Sequence, residues 1–264
     1  MTATRTIPDI QSTLDTRRMP INKVGIKGIR HPIRVLDRQG GEQSTVATFD
    51  LYVNLPREFK GVHMSRFVEV IEQYDGEIDT DSFLDMLPHM TRHLDAEAGH
   101  IEMTFPYFIK KTAPVSRVES LLDYRVSFIG EQSEDKRQLV VKVRIPVTSL
   151  SPSSRDSARR GAHNQRAEVC ITARIRDFIW VEELIEVAEQ ESSSELYGLL
   201  KRPDEKHVTE RAYDNPKSVV DMVRDIAARL HADARIEAYT VEAESFESIH
   251  NHSVYAQVVA DKSD

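Results

Sequence analysis

PVTSLSPSSRDSARRGAHNQR, residues Pro146–Arg166, is the stretch on which the reading of this chain turns. It separates two alternating runs. In Gln138–Val147, Leu139, Val141, Val143 and Ile145 share one face, with Lys142 and Arg144 on the other. In Ala167–Asp177, Val169, Ile171, Ala173 and Ile175 alternate with Thr172, Arg174 and Arg176. Strict alternation marks half-buried strands. The stretch is therefore the connection between two neighbouring strands, and one this long is uncommon unless it is functional. It is dense in serine, and His163 stands alone in the polar run Gly161–Arg166. A solvated Ser/Arg-rich loop and one wall of a site both fit these residues.

Working outward, the same order of elements occurs twice. In the first half, GIKGIRHPIRVLD and STVATFDLYVNLP read as strands around Gln39-Gly40-Gly41, a hairpin signal. In the second of these, Ala47, Phe49, Leu51 and Val53 alternate with Val46, Thr48, Asp50 and Tyr52. GVHMSRFVEVIEQY predicts a helix with Ser65 as N-cap and Phe67, Val68, Ile71 and Tyr74 on one stripe. DTDSFLDMLPHMTRHLDAEA predicts a second, buried through Phe83, Leu84, Leu87, Met90 and Leu94 and kinked or broken at Pro88. Two strands follow in GHIEMTFPYFIKKTAPV and ESLLDYRVSFIGEQ. In the second half, a helix over Trp180–Gln190 buries Val181, Leu184, Ile185 and Ala188. Asn215-Pro216 reads as the cap and first residue of another, with Val219, Val220, Val223, Ile226, Ala227 and Leu230 as its stripe. Strands in ARIEAYTVEAES and HSVYAQVVA close the chain.

Strand, strand, helix, helix, strand, strand is thus repeated in topology without residue identity. It predicts an α+β fold with antiparallel sheets and helices on one face. The expected division is an arm over residues 1–22, a first module over 23–134 and a second over 135–264. The arm is read equally as an extended segment crossing a subunit boundary or as a disordered tail. Open sheet edges invite association, and closure of several subunits into a barrel would satisfy them.

Composition fits a soluble globular chain: 264 residues, 40% hydrophobic, 30% charged. No apolar run approaches the roughly 20 residues a bilayer requires, and the first residues show no secretory h-region. The single cysteine, Cys170, excludes an intrachain disulfide. The expected compartment is the cytoplasm, with no membrane partner. A net charge of −8 argues against nucleic acid as a partner, while leaving room for an anion at a local basic group.

Three separate segments offer imidazole or carboxylate: His163; the loop Arg202–Arg211 with Glu205; and Phe246–His252 with Glu247, His250 and His252. Zinc- or manganese-type ions accept such groups, but each taken singly is as readily a solvated side chain. His250 and His252 fall on one face if extended. Gly61–Arg66 offers a helix N-terminus, the His63 imidazole and the Arg66 guanidinium to a phosphate, or is an ordinary helix start.

Four segments in order, GVHMSRF (61–67), GAHNQR (161–166), RPDEKHVTERAYDNPK (202–217) and FESIHNH (246–252), resemble the prokaryotic type IB GTP cyclohydrolase I family. The resemblance runs from about Leu14 to the end of the chain. It implies the tunnelling fold, with two ββααββ-like modules per chain and a homotetrameric barrel. It also implies a metal-dependent hydrolase that opens the imidazole ring of GTP at C8, releasing formate and 7,8-dihydroneopterin triphosphate for folate synthesis. On that resemblance His163, Glu205 and Glu247 would hold a divalent ion, zinc or manganese. His163 and His250 would move protons, and His63 and Arg66 would take the triphosphate of a purine nucleotide.

Two positions depart from the family pattern. Where the family usually reads CPCS, this chain has Ser151-Pro152-Ser153-Ser154, so Ser151 replaces the metal-binding and catalytic thiol. A serine hydroxyl stays neutral and is a poor zinc ligand. Val220 stands where the family has the glutamate that anchors guanine. Unpaired guanine donors in a closed pocket cost about 1–3 kcal/mol. These departures imply impaired or altered activity. A paralogue acting on another purine- or pterin-like ligand and an inactive binding protein are the alternatives.

Overall fold

The alternating runs become strands, and all of them join one sheet. The computed structural model describes residues 15–74, 76–133 and 136–262. β1 (Ile21–Leu36) and β2 (Glu42–Leu55) form an antiparallel hairpin. Its turn is tight because Gly40 takes φ +79°, and Asp37 Oδ1 accepts the amides of Gln39 and Gly41, each at 2.8 Å. There follow α1 (Met64–Glu72), the short β3 (Glu77–Ile78), α2 (Thr80–His93), β4 (Ala98–Thr112) and β5 (Glu119–Ser133). The second half holds β6 (Lys136–Leu150), α3 (Pro152–Ser157), β7 (Asn164–Ile175), α4 (Val181–Gln190) and β8 (Ser194–Glu195). It ends with α5 (Arg202–Asp214), α6 (Val219–Ala232), β9 (Ile236–Phe246) and β10 (Ser253–Asp261).

The strand order is β10-β9-β7-β6-β5-β4-β2-β1-β3, with β8 added beside β6. All pairings are antiparallel except the short β1–β3 contact. The expected division at 134/135 falls between β5 and β6, whose register runs from Arg125↔Arg144 to Ser133↔Lys136. The sheet therefore passes through it without interruption. One hydrophobic core lies under both halves, with Phe49, Leu51, Met103, Phe128, Val143 and Ile171 from strands meeting Phe83, Leu87, Ile185 and Ile226 from helices. Each such side chain contributes about 1.5–3 kcal/mol when fully buried. No helix among the described residues is long and apolar enough to cross a membrane.

A second tie joins the halves. Lys111 on β4 donates to Glu189 on α4 at 2.7 Å and to Glu195 on β8, while Tyr124 donates to Glu189 at 2.6 Å. Burial pushes the Glu189 carboxyl up; Lys111, Tyr197 and Arg211 hold Glu195 below its ordinary range in spite of burial. At the same end, Asp204 at the start of α5 is fully buried under the β4–β5 turn. It accepts the amides of Val115, Ser116 and Lys201 at 2.8 Å and the Ser116 hydroxyl at 2.5 Å.

Several boundaries differ from expectation. His63, not Ser65, is the N-cap of α1, and Val70 rather than Val68 joins Phe67 and Ile71 in its buried stripe. α2 runs through Pro88, held by Phe83, Met86, Leu87 and Met90 buried on both sides of it. The segment Arg202–Arg211, read as a loop, is most of α5. α6 starts later than Asn215-Pro216: Ser218 is its N-cap, with a capping box to Asp221. Asn215 instead donates its side-chain amide to Ser192 O at 2.8 Å. Val220 lies at the edge of the apolar stripe, which is Val219, Met222, Val223, Ile226, Ala227 and Leu230, and is 41% exposed. The expected arm falls mostly on residues 1–14, outside the described residues, and β1 begins at Ile21.

Candidate active site

The connection Pro146–Arg166 is shorter than its sequence suggested, because β6 continues to Leu150 and β7 starts at Asn164. The remaining thirteen residues, 151–163, fold back on themselves. Ser151 caps α3 by accepting the Ser154 amide at 3.2 Å, with Pro152 at the first helical position. Ser154 Oγ accepts the His163 amide at 3.1 Å, and the Ser151 amide donates to His163 O at 3.2 Å. Gly161, at φ +78°, makes the reversal into His163. The turn between β9 and β10 lies beside this connection, because β9 pairs with β7 from Ala167↔Ser245 onward.

Together they enclose a cavity of about 570 Å³. Ser151, His163, Glu247 and His250 all line it, as do Gln165, Ser154 and Ser218. His163 Nδ1 lies 3.5 Å from Glu247 Oε2 and 2.8 Å from Gln165 Oε1. Both His163 and Glu247 are largely buried, at 16% and 11% side-chain exposure. Ser245 donates to Glu247 Oε1 at 2.9 Å, which holds the carboxylate in place. His250 and His252 stack at the exposed rim with ring centroids 5.0 Å apart; they lie in the turn between β9 and β10, so it is the turn and not an extended strand that brings the rings together.

The other candidates lie elsewhere. Glu205 is exposed on the first turn of α5 and does not line the cavity. The other end of that helix is the nearer one, where Arg155 of α3 donates to Tyr213 O at 3.5 Å. Eight residues of helix, about 12 Å, separate Glu205 from Tyr213. Val220 is also absent from the lining, although its neighbours Ser218 and Val219 belong to it. His63 and Arg66 stand where β2 ends and β4 begins, with Arg66 Nη1 3.5 Å from His93 O and 3.7 Å from Asp95. That is the opposite end of the sheet, since β4 and β6 run in the same direction and the cavity sits where β6 ends.

The donors in the cavity do not fit a divalent ion unaided. Among the described residues no three His, Cys, Asp or Glu side chains converge as a metal cage. His163 and Glu247 supply two donors, and the third expected position is the neutral Ser151 hydroxyl. What the pair does offer is a positioned imidazole with a carboxylate behind it, in a cavity lined with hydroxyls. That arrangement polarises water and moves protons.

A family model described as "Type I GTP cyclohydrolase folE2" matches residues 7–256. The chain belongs to the FolE2 family. FolE2 takes the place of the type IB designation expected from the motifs. The GTP cyclohydrolase FolE2 of Nitrosococcus oceani is 61% identical over 258 residues, covering 98% of this chain and 97% of that protein. GTP cyclohydrolase FolE2 2 of Dechloromonas aromatica is 59% identical over 261 residues, covering 99% and 97%. Among solved structures, uricase from Arthrobacter globiformis has a TM-score of 0.53 at 8% identity, covering 92% of this chain and 95% of that one. At that identity the likeness shows a shared α+β architecture alone. Sequence reasoning about this FolE2-family chain missed Gln165 and Ser154. The signal for Gln165 was present, since a two-residue step from His163 along a strand keeps the same face.

Proposed function

We propose that this chain is a GTP cyclohydrolase, opening the imidazole ring of GTP to give 7,8-dihydroneopterin triphosphate and formate in folate biosynthesis. The observation that carries the reading is the His163–Glu247 pair, held in a cavity built from two of the four motifs of a family matched over residues 7–256. Ring opening requires addition of water at C8 and protonation of the departing nitrogen. His163, backed by Glu247, is placed to take a proton from water. His250 at the rim is placed to return one.

The full site in this proposal is shared between subunits of a homotetramer. The outer edge of β10 has no strand partner among the described residues, and β1 is paired on its outer side only at Arg34 and Val35. Open edges at opposite ends of one sheet suit closure into a tunnelling-fold barrel. Closure also supplies what one chain lacks, by bringing His63, Arg66 and Glu205 of neighbours towards the cavity. A zinc or manganese ion would supply Lewis acidity there, but among the described residues this chain's own donors do not complete its cage. The cytoplasm is the proposed compartment, consistent with a lone buried cysteine.

Ser151 and Val220 support a second reading, a divergent relative that acts on another purine- or pterin-like ligand or only binds it. Incubating metal-supplemented protein with GTP and measuring fluorescent pterin after oxidation separates the two. Product above a metal-free control upholds the first. Absence of product, together with thermal stabilisation by a different purine or pterin, upholds the second.

A further inference from the structure

Among the described residues, Gln165 is the one polar side chain that touches both members of the His163–Glu247 pair. It is 8% exposed on β7, and its amide is held from three sides. Nε2 lies 3.4 Å from Glu247 Oε1, while Oε1 lies 2.8 Å from His163 Nδ1 and accepts from Ser248 Oγ at 3.3 Å. The carboxylate can only accept, so the NH₂ end of the amide must face Glu247. The reverse orientation would set amide oxygen against carboxylate oxygen. Oxygen therefore faces His163, and an oxygen acceptor at Nδ1 requires Nδ1 to carry the proton. Glu247 Oε2 lies 3.5 Å from the same nitrogen, at the outer limit of a hydrogen bond, so the 2.8 Å contact to Gln165 is the one that holds the proton there.

We propose that Gln165 is a positioning residue that fixes the neutral His163 ring as its Nδ1–H tautomer and so leaves Nε2 as the acceptor available in the cavity. No hydrogen bond to Nε2 is found among the described residues, whereas Nδ1 is fully engaged. The direction of the chain is set by Ser245, which donates to Glu247 Oε1 and orients the carboxylate that orients the amide. A histidine serving as base or ligand through Nε2 needs this kind of partner on its other nitrogen. The effect on turnover rests on the GTP cyclohydrolase reading; the tautomer does not.

The test uses full-length protein labelled with [15N]histidine, observed by long-range proton–nitrogen correlation well above the histidine titration range. His163→Asn identifies the signal. The wild type is expected to show Nδ1 protonated and Nε2 bare. Gln165→Met, close in volume and lacking the amide, should shift the ring towards a mixture of tautomers. It should lower kcat for GTP on the order of 10–100-fold with KM little changed. Gln165→Glu restores an acceptor and should keep Nδ1 protonated. Nε2–H in the wild type overturns the proposal. So does Nδ1–H persisting in Gln165→Met, since it would assign the tautomer to Glu247. Loss of the functional reading, a wild type without GTP turnover, leaves the nuclear magnetic resonance result standing by itself.

Discussion

The two halves of this molecule place loops at equivalent points and use them differently. In the first half, β1–β2 turns through five residues and β4–β5 through six, and both turns are closed by hydrogen bonds that serve only the fold. In the second, β6–β7 takes thirteen residues and β9–β10 six, and those two loops carry His163, Glu247 and His250. All four connections lie at one end of the sheet. The first half anchors, through Asp37 at one turn and through Ser116 held on Asp204 of α5 at the other; the second holds the candidate chemistry. The lesson is that a repeated topology can be specialised by lengthening one connection while the strands stay in register.

The largest effect expected from disturbing this contrast is at His163. His163→Ala should lower GTP turnover by about 10²–10⁴-fold with little change in melting temperature, read by pterin fluorescence and thermal denaturation. Asp37→Ala, at the matching turn of the first half, should do the opposite. Equal losses of activity in both variants would erase the distinction.

Next comes the pair of departures from the family. Ser151→Cys with Val220→Glu should raise kcat/KM for GTP by roughly 10–100-fold, the equivalent of the 1–3 kcal/mol assigned to unpaired buried donors. Elemental analysis should then find stoichiometric metal. Unchanged turnover would mean that neither the Ser151 nor the exposed Val220 position limits turnover.

Smaller, and confined to stability, is the anchor at Asp204. Burial alone would raise this carboxyl, but the hydrogen bonds from Ser116, Lys201 and Val115 outweigh it and hold the pKa below the ordinary carboxylate range. A depressed folded-state pKa contributes stability that is complete above the unfolded value, about 4, and lost as pH falls through the lower folded value. Asp204→Asn should therefore melt earlier than Ser116→Ala at neutral pH, and the gap between Asp204→Asn and wild type should narrow in acid. A gap that widens in acid would contradict the assignment.

The smallest effects are expected at two glycines with the same left-handed backbone. Gly40→Ala and Gly161→Ala should each cost about 1–2 kcal/mol, measured by urea denaturation. Only Gly161→Ala, two residues from His163, should also reduce turnover.

The strands were legible because alternation runs the length of β2, β4 and β6, and both expected faces of β2, β6 and β7 are the observed ones. α5 was not, since Arg202–Asp214 has almost no apolar stripe; only Asp204 and Ala212 are buried, and the helix is fixed through its N-terminal anchor. Val220 was misplaced because apolar spacing admits it at the edge of the α6 stripe, where the packing leaves it exposed. At the site, Ser151, His163, Glu247 and His250 line one cavity. Glu205, His63 and Arg66 do not, because their segments lie on α5's far turn and at the opposite end of the sheet. No local pattern encodes that separation. It follows from strand order, which sequence spacing does not report.

The unbroken β5–β6 register has a consequence for how the molecule comes apart. With one core beneath both halves, neither can melt and leave the other intact, so calorimetric and van't Hoff enthalpies should agree across a single transition. Protease sensitivity at residues 151–163 would then rise when the distant β1–β2 hairpin is weakened. Cooperativity, rather than any direct contact, makes the anchoring half a guardian of the cavity.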